Sequence, residues 1–179
     1  MRFPNVLLAI ALSAQAAGAW AQWIDPATSK PLPDLEWRKT VEGLGGMLVL
    51  TKDYDAFMKQ WTGTGESQVP QFHPAAGATA GESVTAMVFF SGCADVGKPC
   101  ELAVDFKVLK PDGSSYGNVP NVAAFDGKIA KRNMVMLTRA TVRLKIEPKD
   151  PLGAYTIVAK LRDAKGGRSM ELRQTLWVE

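Results

Sequence analysis

His73 is the only histidine in the sequence, so a Ser-His-Asp or Cys-His mechanism would have to run through it. It sits in Pro70-Gln71-Phe72-His73-Pro74, a loop-like stretch with no nucleophile-elbow sequence around it, and reads as a surface histidine. Thioether ligands for Cu(I) would have to come from Met47, Met58, Met87, Met134, Met136 and Met170. Only Met134 and Met136 are close in sequence, and alternate strand positions of that kind are usually core. No H-x-H or H-E-x-x-H spacing occurs. Asp53 and Asp55 form a D-x-D pair without the glycine and distal glutamate of a calcium loop; Asp53 is better used as a helix cap. Neither G-x-G-x-x-G nor G-x-x-x-x-G-K-[ST] is present, so no nucleotide cradle is expected. The sequence therefore points to no catalytic residue, no metal ligand set and no cofactor.

Two cysteines remain, Cys93 and Cys100, with Gly97 and Pro99 between them to turn the chain. A redox pair usually has C-x-x-C spacing beside a helix N-terminus. Here the spacing is wider and both flanks are strand-like. In an oxidising compartment an even count favours a structural disulfide, leaving a thiol redox or metal site as the alternative.

That compartment is suggested by the N-terminus. Arg2 precedes an apolar run, Val6-Leu7-Leu8-Ala9-Ile10-Ala11-Leu12, and Ala19-Trp20-Ala21 supplies the small residues that a signal peptidase needs. The run is too short to anchor in a bilayer, and no later stretch is long enough to span one. The expectation is a signal peptide over residues 1–21, cleavage between Ala21 and Gln22, and a periplasmic or secreted protein.

The elements that would carry any site follow from periodicity. Residues 22–45 are broken by Pro26, Pro31 and Pro33 and read as an extended arm that nonetheless carries Trp23, Ile24, Leu32, Leu35 and Trp37. Residues 47–51 form a short apolar run, as a buried strand does. Asp53 then caps a short helix with Phe57 and Trp61 on one face. Residues 62–81 read as a long loop. Beyond it, two-residue alternation dominates: Val84, Ala86, Val88 and Phe90; Leu102, Val104 and Phe106; Val142, Leu144 and Ile146; Tyr155, Ile157, Ala159 and Leu161; Met170, Leu172, Leu176 and Val178. Residues 134–137 add a short strand, and Pro111-Asp112-Gly113, Asp150-Pro151-Leu152-Gly153 and Lys165-Gly166-Gly167 mark turns. Short strands with regular turns predict an all-β antiparallel sandwich over residues 46–179 with one short helix. The composition, 46% hydrophobic and 22% charged, is that of a globular domain.

The segment Pro151-Leu152-Gly153-Ala154-Tyr155 resembles the turn before a late strand in macroglobulin-type immunoglobulin-like domains. The Phe106 to Gly113 hairpin is similar in kind. The resemblance implies an immunoglobulin-like sandwich in a small exported bacterial protein. It implies no activity, since the Cys-Gly-Glu-Gln thioester segment of macroglobulins is absent.

Charge is unevenly spread. Residues 22–126 hold 8 basic and 13 acidic side chains, whereas residues 127–179 hold 12 basic and 5 acidic. Arg143, Lys145, Lys160, Arg162 and Arg173 fall at outward strand positions and could form one basic face. With Trp23 and Trp37 they are the expected partner-binding residues. The arm's tryptophans must be buried, either on the protein's own sandwich or on a second protein. The functional expectation is an exported, non-enzymatic binding or adaptor module contacting another envelope protein. An anionic glycan or a lipid surface is a further candidate partner, and nucleic acid is not. The alternative function is a periplasmic copper-type metal or small-ligand binding protein. The overall charge of +3 decides none of these.

Overall fold

A computed structural model of the chain describes residues 23–25, 28, 30–63, 73–131 and 134–179. The expected signal peptide and its cleavage point lie outside them. The described elements are β1 (Arg38–Val41), β2 (Leu44–Thr51), α1 (Tyr54–Gly63), β3 (Gly77–Ala78), β4 (Ser83–Ser91), β5 (Pro99–Leu109), β6 (Ser115–Lys128), β7 (Met136–Lys145), β8 (Gly153–Asp163) and β9 (Ser169–Val178). They form a four-stranded sheet, β1-β2-β4-β7, and a five-stranded sheet, β3-β9-β8-β5-β6. All pairings are antiparallel except the short one between β3 and β9.

The alternation read from the sequence explains the main core. Leu102, Val104, Phe106 and Val108 of β5 meet Tyr155, Ile157, Ala159 and Leu161 of β8 and Leu172 and Leu176 of β9 on one inner face. Leu48 and Leu50 of β2, Val84, Ala86, Val88 and Phe90 of β4 and Leu144 of β7 supply the other. The fold class is thus the expected antiparallel sandwich with one short helix. Its connectivity is immunoglobulin-like: β2, β4 and β7 take the places of strands A, B and E, and β9, β8, β5 and β6 those of G, F, C and C′. Tyr155 makes the matching corner at the start of β8, fully buried with its hydroxyl donating to Pro151 O at 3.0 Å.

The sandwich begins before the boundary expected at residue 46. β1 lies within the segment read as an arm, and Leu48 N donates to Trp37 O at 2.8 Å, extending the β1–β2 hairpin. The runs expected over 134–137 and 141–147 both fall on one strand, β7, which spans Met136–Lys145 with an irregularity opposite Met87 and Phe89. β6 is a strand where the sequence shows no two-residue alternation.

β4 is buried on both sides, which alternation alone does not require. The cause is α1. Asp53 caps it, its Oδ1 accepting from Ala56 N at 3.1 Å, and Phe57 and Trp61 point at the outer side of the four-stranded sheet. There Phe57 meets Phe89 edge to face at 5.9 Å and Trp61 meets Phe89 at 5.5 Å. Val49, Met87 and Trp23 complete a second apolar cluster.

Candidate functional site

The structure places Trp23 in that second cluster, 9% exposed, with its Nε1 donating to Lys39 O at 3.2 Å. The arm is packed on the chain's own sandwich, so Trp23 is corrected from a partner-facing side chain to a structural one. Trp37 is half-buried, with the Arg38 guanidinium 5.0 Å from its ring centre. The arm also guards a sheet edge, because Arg173 N on β9 donates to Glu36 O at 2.8 Å.

Cys93 and Cys100 sit at disulfide distance, Cα to Cα 5.8 Å, and both are buried. Arg168 closes the same end. Its guanidinium pairs with the fully buried Asp163 carboxylate at 2.5 Å and donates to Glu42 O at 3.1 Å, to Gly92 O at 3.3 Å and to Cys93 O. Asp163 also accepts from Gly166 N at 2.8 Å. This clamp fastens the β8–β9 turn of the five-stranded sheet to the β1–β2 turn of the four-stranded sheet and to the cysteine loop that joins β4 to β5.

The chemistry-bearing residues are not brought together. His73 is exposed beside a cavity of about 410 Å³ that is also lined by Lys52, Asp53, Phe57 and Gln60. Asp53 is occupied in capping α1, and Lys52 pairs with Glu82 at 2.7 Å. Met87 and Met170 are divided between the two cores, and Met47 and Met58 pack on the second. Among the described residues no three His, Cys, Asp or Glu side chains gather as a metal-holding group. Gly113-Ser114-Ser115-Tyr116-Gly117 spells G-x-S-x-G. It lies at the turn from β5 into β6, a hairpin and not the strand-to-helix elbow that exposes a nucleophile.

The expected single basic face is also corrected. Arg143 and Lys145 belong to β7 of the four-stranded sheet, whereas Lys160 and Arg162 belong to β8 of the other. A four-cation surface would need one sheet, and alternation within strands cannot say which sheet a strand joins.

The outer face of the five-stranded sheet is the more developed of the two surfaces. Its rows follow from register: Leu109, Thr156 and Thr175; then Lys107, Val158 and Arg173; then Asp105, Lys160 and Glu171. Arg162 grips Asp105 through two bonds, Nε to Oδ2 at 3.0 Å and NH2 to Oδ1 at 2.9 Å. Asn121, held at φ 55° within β6, donates its N to Asp105 Oδ1 at 2.7 Å and accepts from Arg162 at 2.9 Å. The Asn121 amide, followed by Arg162, holds the Asp105 carboxyl below its usual range. Arg173 pairs with Glu171 at 2.6 Å. At one end of this lattice, opposite Ala154, stands Trp177, 55% exposed, with Leu152 70% exposed at the neighbouring turn. Trp177 was missed, although the alternation that turns Leu176 and Val178 inward also turns it outward. Asn121 could not have been found, since nothing in the sequence marks a left-handed residue inside a strand.

No protein-family profile and no curated protein matches the chain, so the macroglobulin-type resemblance rests on its two turn segments alone. Among solved structures it is similar to a family 123 glycoside hydrolase from Clostridium perfringens, at 10% identity over 76% of this chain with a TM-score of 0.47. The chain spans 27% of that hydrolase. It is also similar to the CARDB domain of a Pyrococcus furiosus protein, at 11% identity over 82% of this chain and 98% of that one with a TM-score of 0.39. A Niemann-Pick type C2 protein from the Japanese carpenter ant gives 10% identity over 57% of this chain and 79% of its own, with a TM-score of 0.35. All three TM-scores fall below 0.5, and the likenesses say nothing of activity.

Proposed function

We propose that the chain is an exported, non-enzymatic binding module that docks on another envelope protein through the outer face of its five-stranded sheet. The observation that carries this reading is Trp177, left 55% exposed on a sheet face whose carboxylates Asp105 and Glu171 are already paired. An exposed tryptophan beside an exposed leucine is the content of a protein-binding anchor. The Arg162–Asp105 and Arg173–Glu171 pairs on the same face add specificity. The dimensions suit the purpose. Four strands spaced about 4.8 Å, each about ten residues long, make a face on the order of 600 Å². That is close to the roughly 800 Å² one partner contributes to a stable interface. Export is supported by the residue 1–21 pattern and by the paired cysteines. Among the described residues no helix is long and apolar enough to cross a membrane.

The test is a phenylalanine-based photo-crosslinker placed at Thr175 in native cells. It should yield one discrete adduct that disappears in Trp177→Ala, while a crosslinker at Asp55 on α1 yields none. Equal adducts from both positions would refute the assignment of the face.

A further inference from the structure

A second surface differs in kind. Arg139, Arg143 and Lys145 of β7 are all exposed. Their neighbours Ala140 and Leu144 are buried in the main core and Val142 packs against it, so alternation turns the three cations outward together. Opposite Arg143 and Lys145 on β4 stand Thr85 and Ser83, both neutral. No described residue hydrogen-bonds or ion-pairs with any of the three charged groups. Glu82 and Glu147, the carboxylates at the Lys145 end, are engaged by Lys52 at 2.7 Å and Lys149 at 3.0 Å. A shallow groove lined by Gly81, Ile146, Glu147, Pro148 and Lys149 continues the ridge past Lys145.

At about 3.3 Å per residue, Arg143 to Lys145 spans about 7 Å, and Arg139 precedes them in the same strand at its irregularity. The result is a line of cations with no internal neutralisation. The contrast is with Arg162 and Arg173, whose carboxylates lie within 3 Å.

We propose that this ridge binds a linear anionic glycan, a chain whose carboxylate or sulfate groups repeat along its length, laid parallel to β7. An arginine fork donates bidentately to such groups, and a repeating anion relieves the repulsion between neighbouring cations. A protein partner fits less well. A stable protein interface has an apolar core, and none of the exposed large apolar side chains belongs to β7. A lipid surface is disfavoured for the same reason, since lasting attachment needs an apolar or second signal besides charge. The ridge lies on the opposite sheet from Trp177, so this inference stands apart from the docking reading.

The full folded chain is titrated calorimetrically with polygalacturonate and with heparin. Neutral dextran, polyglutamate and phosphatidylglycerol vesicles serve as comparison probes. The expected result is binding to an anionic glycan, none to dextran, weaker binding to polyglutamate and vesicles, and a steep fall in affinity between 50 and 300 mM salt, roughly as counterion release predicts for several charge contacts. Arg139→Gln, Arg143→Gln and Lys145→Gln together should lower affinity at least about tenfold with an unchanged unfolding temperature. Should that variant fail to fold, Arg143→Gln alone must lower affinity about threefold. Lys160→Gln with Arg162→Gln, and separately Trp177→Ala, should leave it unchanged. Absence of glycan binding, a loss shared by the Lys160 and Arg162 variant, or tighter binding to polyglutamate or vesicles would overturn the proposal.

Discussion

The two sheets treat their outer faces differently. The four-stranded sheet is roofed by α1 and by Trp23, so β4 is buried on both sides and only the β7 edge remains open, carrying three unpaired cations. The five-stranded sheet has no such roof. Its carboxylates Asp105 and Glu171 are held by Arg162 and Arg173, and its exposed large apolar side chains are Trp177 and, at the neighbouring turn, Leu152. A face closed by the chain's own residues serves stability, while a face left open with an aromatic anchor is available to a partner. The same residue type, tryptophan, is structural at position 23 and presented at position 177.

The sharpest way to break this contrast is through the roof. Phe57→Ala should destabilise the fold by about 3–5 kcal/mol in chemical denaturation, as for other buried aromatics, and Trp23→Ala by about 3 kcal/mol. Trp177→Ala should change stability by under about 1 kcal/mol. A small effect at Phe57 would mean that the roof is not part of the folding unit.

The ion pairs offer a second contrast. Arg168→Met leaves the buried Asp163 carboxylate unpaired and should cost roughly 3–5 kcal/mol. Asp105→Asn, in the half-exposed pair with Arg162, should cost under about 1 kcal/mol. Replacing Cys93 and Cys100 together by Ser should cost about 2–4 kcal/mol at most, because the loop is short. That loss should leave binding by either face intact in the surviving folded protein.

The smallest effect is electrostatic. The Tyr116 hydroxyl, donating at 2.6 Å, and Glu147 N, at 2.8 Å, hold Asp150 below its ordinary value of 3.8. A carboxyl depressed on folding contributes stability that is complete above its unfolded value and disappears as pH falls through the folded one. Asp105 behaves in the same sense. Stability should therefore decline below about pH 4. In Asp150→Asn part of that decline should vanish from an acid titration monitored by tryptophan fluorescence. An unchanged acid limb in this variant would count against the hydrogen bond.

Much of the sandwich was legible because its inner positions alternate without interruption, as in β5, β8 and β9. β6 was not legible. Gly117, Asn118, Pro120, Asn121 and Gly127 look like loop residues, and an edge strand with register shifts against β5 shows little alternation of burial. The need to bury Trp23 was readable from its apolar area. Its destination was not, since the outer side of a sheet offers no signal in the sequence of the segment that covers it. The basic residues were correctly placed outward, yet which cations meet carboxylates depends on strand order. Lys160 lies opposite Glu171 and beside Asp105 only because β8 sits between β9 and β5. Arg139 was left out because it falls at the irregularity between two segments that were read as separate strands.

The open face with Trp177 is the proposed meeting point with a partner. Its most direct measurement is quantitative co-purification from native envelopes of wild type, Trp177→Ala and the Arg139, Arg143 and Lys145 triple Gln variant, each first shown to unfold at the same temperature. One stoichiometric protein should be retained by wild type and by the triple variant and lost from Trp177→Ala. Retention of that protein by Trp177→Ala at the wild-type level would contradict it.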